Sequence, residues 1–368
     1  MSVLRLRILG LMVVSPCLAI GCGSGESGPA VGGARLCGVG QHNDGTGNCV
    51  VNASCPAEQL TDRTGICVPM AGVTWTERGS SQDWTSVASS SDGTKLVAVV
   101  GGGYIYTSAD SGVTWTQTGA SQDWTSVASS SDGTKLVAVV SGGSIYTSAD
   151  SGVTWMQTGT SQDWRAVASS ADGAKLVAAV RGGSVYASAD SGATWTGTGP
   201  SQYWTTVASS SDGTKLVAAA NGVADNLGEG YIYVSGDSGA TWKQGGIHSD
   251  YWSAVASSSD GTKMVAVVGS TDYDVGGYIY TSASSGANWK FTTAAGPIWT
   301  SVAASSDGTN LVAGAYYRNI YTSRDSGMTW TQQAALQSCA SVASSADGTK
   351  LVGVVTGGYI YTSSGPMP

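Results

Sequence analysis

The chain reads as an all-β protein, a seven-bladed propeller of four-stranded antiparallel blades, and three observations predict it. First, one unit of about forty residues recurs seven times, opened by Trp84, Trp124, Trp164, Trp204, Trp252, Trp299 and Cys339; a self-similar period of this length marks a repeat architecture. Second, each unit breaks into four short stretches, in the first copy Trp84–Ser89, Lys95–Val100, Tyr104–Thr107 and Thr114–Gln117. They are rich in Val, Thr, Tyr, Ile and Trp and bounded by Gly, Asp or Ser, as strands are, and none keeps the spacing of a helix. Third, the seventh unit stops at Thr362-Ser363 without a fourth strand, and its missing piece, Gly72-Val73-Thr74-Trp75, stands before the first unit. An N-terminal strand is therefore expected to complete the last blade and close the ring, hiding sheet edges.

The propeller is expected over residues 71–368, with an appendage before it. Apolar residues make up 41% and charged residues 11% of the chain, with 53 glycines and one phenylalanine, which suits short strands joined by tight turns. The net charge of −8 falls to about −10 once Arg5 and Arg7 are removed with a leader. An acidic surface repels phosphate backbones, so nucleic acid is not an expected partner.

The appendage begins as a signal peptide over residues 1–21, where Arg5 and Arg7 precede an apolar run from Ile8 to Ile20. The run ends Leu18-Ala19-Ile20-Gly21-Cys22, which resembles a bacterial lipoprotein lipobox. The resemblance implies cleavage before Cys22 and acylation of its thiol; Gly23, in place of an aspartate, implies the outer membrane or cell surface. A plain cleaved leader, leaving a periplasmic or secreted protein, is the alternative. Residues 22–36 are a Gly/Ser-rich tether. Residues 37–67 hold two copies of one Cys-x11-Cys motif, with Gln41/Gln59, Asp44/Asp62, Thr46/Thr64 and Gly47/Gly65 aligned. Four cysteines allow three connectivities, and a duplicated hairpin favours Cys37–Cys49 and Cys55–Cys67. A zinc site is the rival reading, with His42 as the nearby imidazole.

The turn before each fourth strand carries Ser108-Ala109-Asp110-Ser111-Gly112-Val113-Thr114-Trp115, repeated intact at Ser148–Trp155, Ser188–Trp195, Ser235–Trp242 and Ser323–Trp330. This resembles the Asp-box of the bacterial neuraminidase repeats, a propeller family that spans sialidases, other glycosidases, sortilin-type receptors and a photosystem assembly factor. The fifth copy is worn, with Ser284 for the aspartate and Asn288 for the threonine. The aspartates Asp110, Asp150, Asp190, Asp237 and Asp325 are expected to be structural: each accepts N–H bonds in a tight turn whose glycine takes positive φ, with the tryptophan packed over it. Asp92 in Ser91-Asp92-Gly93-Thr94 is expected to serve a hairpin in the same way.

A sialidase-like activity would require an arginine cluster, a Tyr–Glu nucleophile pair and an acid/base aspartate. The propeller holds Arg78, Arg165, Arg181, Arg318 and Arg324, and its only glutamates are Glu77 and Glu229. No phosphate-cradling loop or metal-spaced histidine set occurs, and Cys339, in a tryptophan position, is expected to be a buried thiol. No catalytic residue is assigned.

Function is expected where the copies differ. The face opposite the Asp-boxes carries an insertion with Asp225, Asn226 and Glu229 and another with Asp272, Tyr273 and Asp274. They flank the recurrent Asp83, Asp123 and Asp163, replaced further round by Tyr203 and Tyr251. Such a surface suits a sugar, a peptide or Ca²⁺ held by oxygen ligands. The expected function is that of a monomeric binding or scaffolding module for a glycan or an envelope protein. A glycoside hydrolase of sialidase-like fold and a purely structural surface protein are the alternatives.

Overall fold

The computed structural model describes residues 41–43, 49–51, 59–61, 67–69, 74–222, 230–249, 251–269, 276–316, 319–333 and 338–364. The chain divides into two compact units, Met1–Pro69 and Met70–Pro368. In the first, Gln41–Asn43 pairs with Cys49–Val51 and Gln59–Thr61 with Cys67–Pro69, in the same register: Asn43 faces Cys49 as Thr61 faces Cys67. Two copies of one motif thus form two copies of one hairpin. The leader, the lipidation call at Cys22, the tether, Cys37 and Cys55 lie outside the described residues.

In the second unit every repeat contributes a run such as Leu96–Val100, whose five residues are all buried. Continuous burial of both strand faces arises because each sheet is covered on both sides by its neighbours. The preceding strand behaves differently. Its register shifts between Trp84 and Ser86, and the resulting bulge lets both Trp84 and Val87 turn inward three residues apart. Each core cluster joins two successive repeats: Val97, Val99 and Ile105 of the first pack on Trp124, Val127, Leu136 and Val140 of the second. Trp124 also meets the Tyr146 ring edge-on at 5.1 Å, and its equivalents Trp84, Trp164, Trp204, Trp252 and Trp299 meet a tyrosine in the same way. Cys339, where a tryptophan is expected, is buried among Val312, Ile320, Val342 and Leu351, with Trp75 against the cluster.

The expectation of seven separate four-stranded blades closed by an N-terminal strand is overturned by the hydrogen bonding. The repeats assemble into five sheets, three of four strands and two of six. Sheets merge where a strand bends without breaking. Thr196–Ser209 runs from the third repeat into the fourth, and Tyr203 within it pairs with both Arg181 and Asn221; at the equivalent points of the second and third repeats Asp123 and Asp163 interrupt the strand. Nor is a separate N-terminal strand added to a last blade. Thr74–Ser89 is one continuous internal strand of a six-stranded sheet, paired through Thr74–Asp83 with Leu351–Ser364 and through Trp84–Ser89 with Leu96–Val100.

The succession of repeats is also tied at its axis, by turns. The Ser91 N–H donates to the Ser131 carbonyl at 2.8 Å, and the same bond runs from Ser131 to Ala171, then to Ser211, Ser259, Ser306 and Ala346. Ala346 N–H returns to the Ser91 carbonyl at 2.7 Å.

Candidate functional site

The five intact turns that resemble Asp-boxes share one carboxylate geometry. The Asp110 carboxylate accepts the Thr114 N–H at 2.8 Å, the Thr114 hydroxyl at 2.6 Å and the Ser108 hydroxyl at 2.8 Å. Ser111 and Gly112 between them stand at φ 58° and 85°, left-handed backbone that the hydrogen-bonded turn stabilises. The Trp115 indole N–H donates to the Gly112 carbonyl at 3.0 Å. Bonds from the Thr114 hydroxyl, its N–H and the Ser108 hydroxyl hold Asp110 at about 2, and the same set holds Asp150 and Asp190 there. These carboxylates are committed acceptors that stay ionised, the opposite of what a general acid needs. Asp92 is lowered further, by the Ser90 hydroxyl first and then by Thr94.

The lysine of each hairpin has a role that composition alone does not announce. Lys95 donates to the Ser151 hydroxyl of the next repeat's Asp-box at 3.3 Å, as Lys135 does to Ser191 and Lys263 to Ser326. Lys175 reaches Ser238 and Lys350 reaches Ser111 in the same way, whereas Lys215 donates to the Asp260 carbonyl and Asn310, in the lysine position of the sixth repeat, to the Asp347 carbonyl. The signal was present in the sequence as Gly-Thr-Lys recurring in register with Asp-x-Gly.

On the opposite face Asp83, Asp123 and Asp163 are exposed, and Tyr251 is 45% exposed. Their Ser-Gln neighbours hold the scaffold: the Ser121 and Ser161 hydroxyls donate to the Gly102 and Gly142 carbonyls, and the Gln122 amide reaches the Tyr146 hydroxyl. Asp163 accepts the Ser141 hydroxyl at 2.9 Å. Tyr203 is half-buried within the strand that merges two sheets. Asp225, Asn226, Glu229, Asp272, Tyr273 and Asp274, and with them the calcium reading, lie outside the described residues. Arg165 and Arg181 are exposed.

Several cavities open on the Asp-box face. A polar funnel of 160 Å³ at the axis is lined by Ser90, Ser130, Ser170 and their equivalents. Grooves open between consecutive repeats, 480 Å³ between the first and second and 640 Å³ between the fifth and sixth. The latter is lined by Met264, Ser284, Lys290, Phe291, Leu311 and Met328, and it lies beside the worn box. There the turn keeps its shape: Ser285 and Gly286 stand at φ 51° and 77°, and the Ser284 hydroxyl takes the aspartate's place in accepting the Asn288 N–H at 3.0 Å. The carboxylate is gone, and the Trp289 indole N–H is buried without a partner among the described residues. Phe291, the chain's single phenylalanine, is 53% exposed and rests on Tyr278 and Tyr280 at 5.6 and 5.7 Å. Sequence reasoning noted the worn box without connecting it to this groove, because Phe291, Met264 and Met328 are brought together only by packing.

Fold and site together define a β-propeller. Among solved structures, a GH74 xyloglucanase from Xanthomonas campestris is similar at a TM-score of 0.62 and 16% identity, over 79% of this chain and 53% of its own. The chain thus spans about half the length of that enzyme. YCF48 from Cyanidioschyzon merolae is similar at 0.61 and 12% identity, over 79% of this chain and 98% of its own; a structure of YCF48 bound to D1 peptide gives 0.61, 13%, 81% and 98%. No family model matches the sequence, and no curated protein matches it. At such identities the likeness is one of fold alone.

Proposed function

We propose that the protein is an exported, lipid-anchored propeller of the cell envelope that binds a protein or glycan ligand and acts as a scaffold. The carrying observation is the division of labour on the Asp-box face. The repeated aspartates are engaged in holding turns, while the worn fifth box, which lacks its aspartate, borders a 640 Å³ groove with exposed apolar side chains. Exposed apolar surface beside a concavity is what a binding module offers. A propeller of similar fold that carries a bound peptide supports a protein ligand. Candidate aspartates on the other face, Asp83, Asp123 and Asp163, recur by repetition and form no singular acid/base pair.

The test pairs a glycan array and an envelope pull-down on the full chain with a fluorogenic glycoside screen. Ligand capture without turnover is expected. Reproducible turnover, lost in a single variant among Asp83→Ala, Asp123→Ala, Asp163→Ala and Glu229→Ala, would sink the binding reading. Anchoring is tested separately: Cys22→Ala should release the protein from membranes, and unchanged fractionation would refute lipidation.

A further inference from the structure

The groove between the fifth and sixth repeats differs from that between the first and second in charge as well as in shape. The groove between the first and second repeats is bordered by Lys95 and by Asp110, Asp132 and Asp150. Its counterpart between the fifth and sixth is bordered by Lys263 and Lys290 and by Asp307 and Asp325. Serine for aspartate at Ser284 and lysine for the counterpart of Thr116 at Lys290 make it two charge units more positive. The remaining acids are occupied: Asp325 accepts from Thr329 and Ser323, and Asp307 from Ser305 and Thr309. Lys263 is tied to Ser326, whereas exposed Lys290 makes no hydrogen bond or ion pair among the described residues.

The apolar floor changes in parallel. Met264 stands where other repeats have leucine, Phe291 where the first has Gln117, and Met328, 73% exposed, where the first has Val113. Methionine gives an adaptable lining and an exposed aromatic ring gives an anchor. The turn keeps its backbone shape, since the Ser284 hydroxyl still accepts the Asn288 N–H. In a chain of net charge −8, such a spot attracts acidic groups that the rest of the surface repels.

We infer that this groove takes an acidic peptide segment carrying an apolar or aromatic side chain, which seats on Phe291, Met264 and Met328 while its carboxylates meet Lys290 and Lys263. The assignment rests on the binding-module reading and names its partner class. Fluorescence anisotropy on the full chain tests it with a labelled Glu-Asp-Leu-Phe-Asp-Glu peptide, its Lys-Arg-Leu-Phe-Arg-Lys counterpart and a sulfated oligosaccharide. The acidic peptide should bind, more weakly as salt rises, and the basic one should not. Lys290→Glu and Phe291→Ala should each weaken binding about tenfold, equivalent to roughly 1.4 kcal/mol, and Ser284→Asp several-fold. Thr116→Lys in the first groove should change nothing. An unbound acidic peptide, equal binding of the basic one, or an affinity unmoved by Lys290→Glu and Ser284→Asp would overturn the assignment, as would a sulfated oligosaccharide that binds the groove more tightly than the peptide. If envelope ligands are still captured by both variants, the groove fails while the module stands; if the unmodified chain captures nothing, the module reading fails too.

Discussion

The second and fifth Asp-boxes have the same backbone and opposite chemistry. Ser151 and Ser285 stand at φ 60° and 51°, and Gly152 and Gly286 at 86° and 77°. In both, the first serine's hydroxyl accepts the glycine N–H, at 2.9 and 3.0 Å. One turn holds a charged carboxylate and the other a neutral hydroxyl, so the fold needs an acceptor at that point and not a charge. Charge there is free to vary with what the neighbouring groove must hold.

The largest test of the shared frame lies beneath both boxes. Trp124 and Trp252 are each 1% exposed. Trp124→Ala and Trp252→Ala should each destabilise the propeller by about 3–5 kcal/mol, read as a fall in the urea midpoint. A loss at Trp252 much smaller than at Trp124 would break the equivalence of the two repeats. Somewhat smaller, at roughly 2–3 kcal/mol, is the expected effect of Gly152→Ala and Gly286→Ala. An added Cβ would lie 2.7 Å from the Thr107 methyl in the first case and 2.5 Å from a Val234 methyl in the second, each at positive φ. If Gly286→Ala is tolerated and Gly152→Ala is not, the worn turn is not built on the same frame.

The strands and the Asp-box turns were legible in the sequence because their residues act locally: Val and Ile runs bury, and Asp accepts from a Thr four residues on. The partition into sheets was not. It depends on whether a strand bends or breaks at one position, and residue type there does not decide it: the strand runs on through Tyr203 and through Asp83 but is interrupted at Asp123 and Asp163. Cys339 was rightly expected to be buried, and burial pushes its thiol up to about 12. How its space is filled was not legible: Gly314 stands so close that a Cβ there would lie 2.7 Å from Cys339 Sγ, a contact between two repeats that no local motif announces. The candidate groove was half legible, through Ser284 and Asn288, while Phe291 gained meaning only from the rings it touches.

Acid separates the two boxes further. Asp150 is held at about 2, below the ordinary 3.8, by Thr154 first and then by Ser148. Between those values the unfolded chain binds the proton and the folded one does not, so stability rises with pH there. The contribution is fully present above about pH 4 and is lost as pH falls through 2. Asp150→Asn should therefore lower the midpoint at neutral pH, and the difference from the unmodified protein should close on acidification to pH 2. Ser284→Ala, which removes a neutral acceptor, should show a smaller difference that does not depend on pH over this range. A pH-independent Asp150→Asn difference would mean that shape, not charge, carries the intact turn.

The smallest effect is expected for Ser284→Asp, the substitution that makes the fifth box resemble the second. The receiving turn already offers the Asn288 N–H to this position and the Ser282 hydroxyl beside it, so the carboxylate finds donors, and stability at neutral pH should change by no more than about 0.5 kcal/mol. The variant should also acquire the acid sensitivity of an intact box, its advantage fading below pH 4. A serine kept only because nothing depends on it would allow this change without any other consequence. A serine that keeps the adjacent groove free of negative charge would not, because the new carboxylate would face Lys290 and compete with an acidic ligand for it. Unchanged folding together with weakened peptide binding is the outcome expected if charge at this turn is set by the groove and the backbone by the repeat.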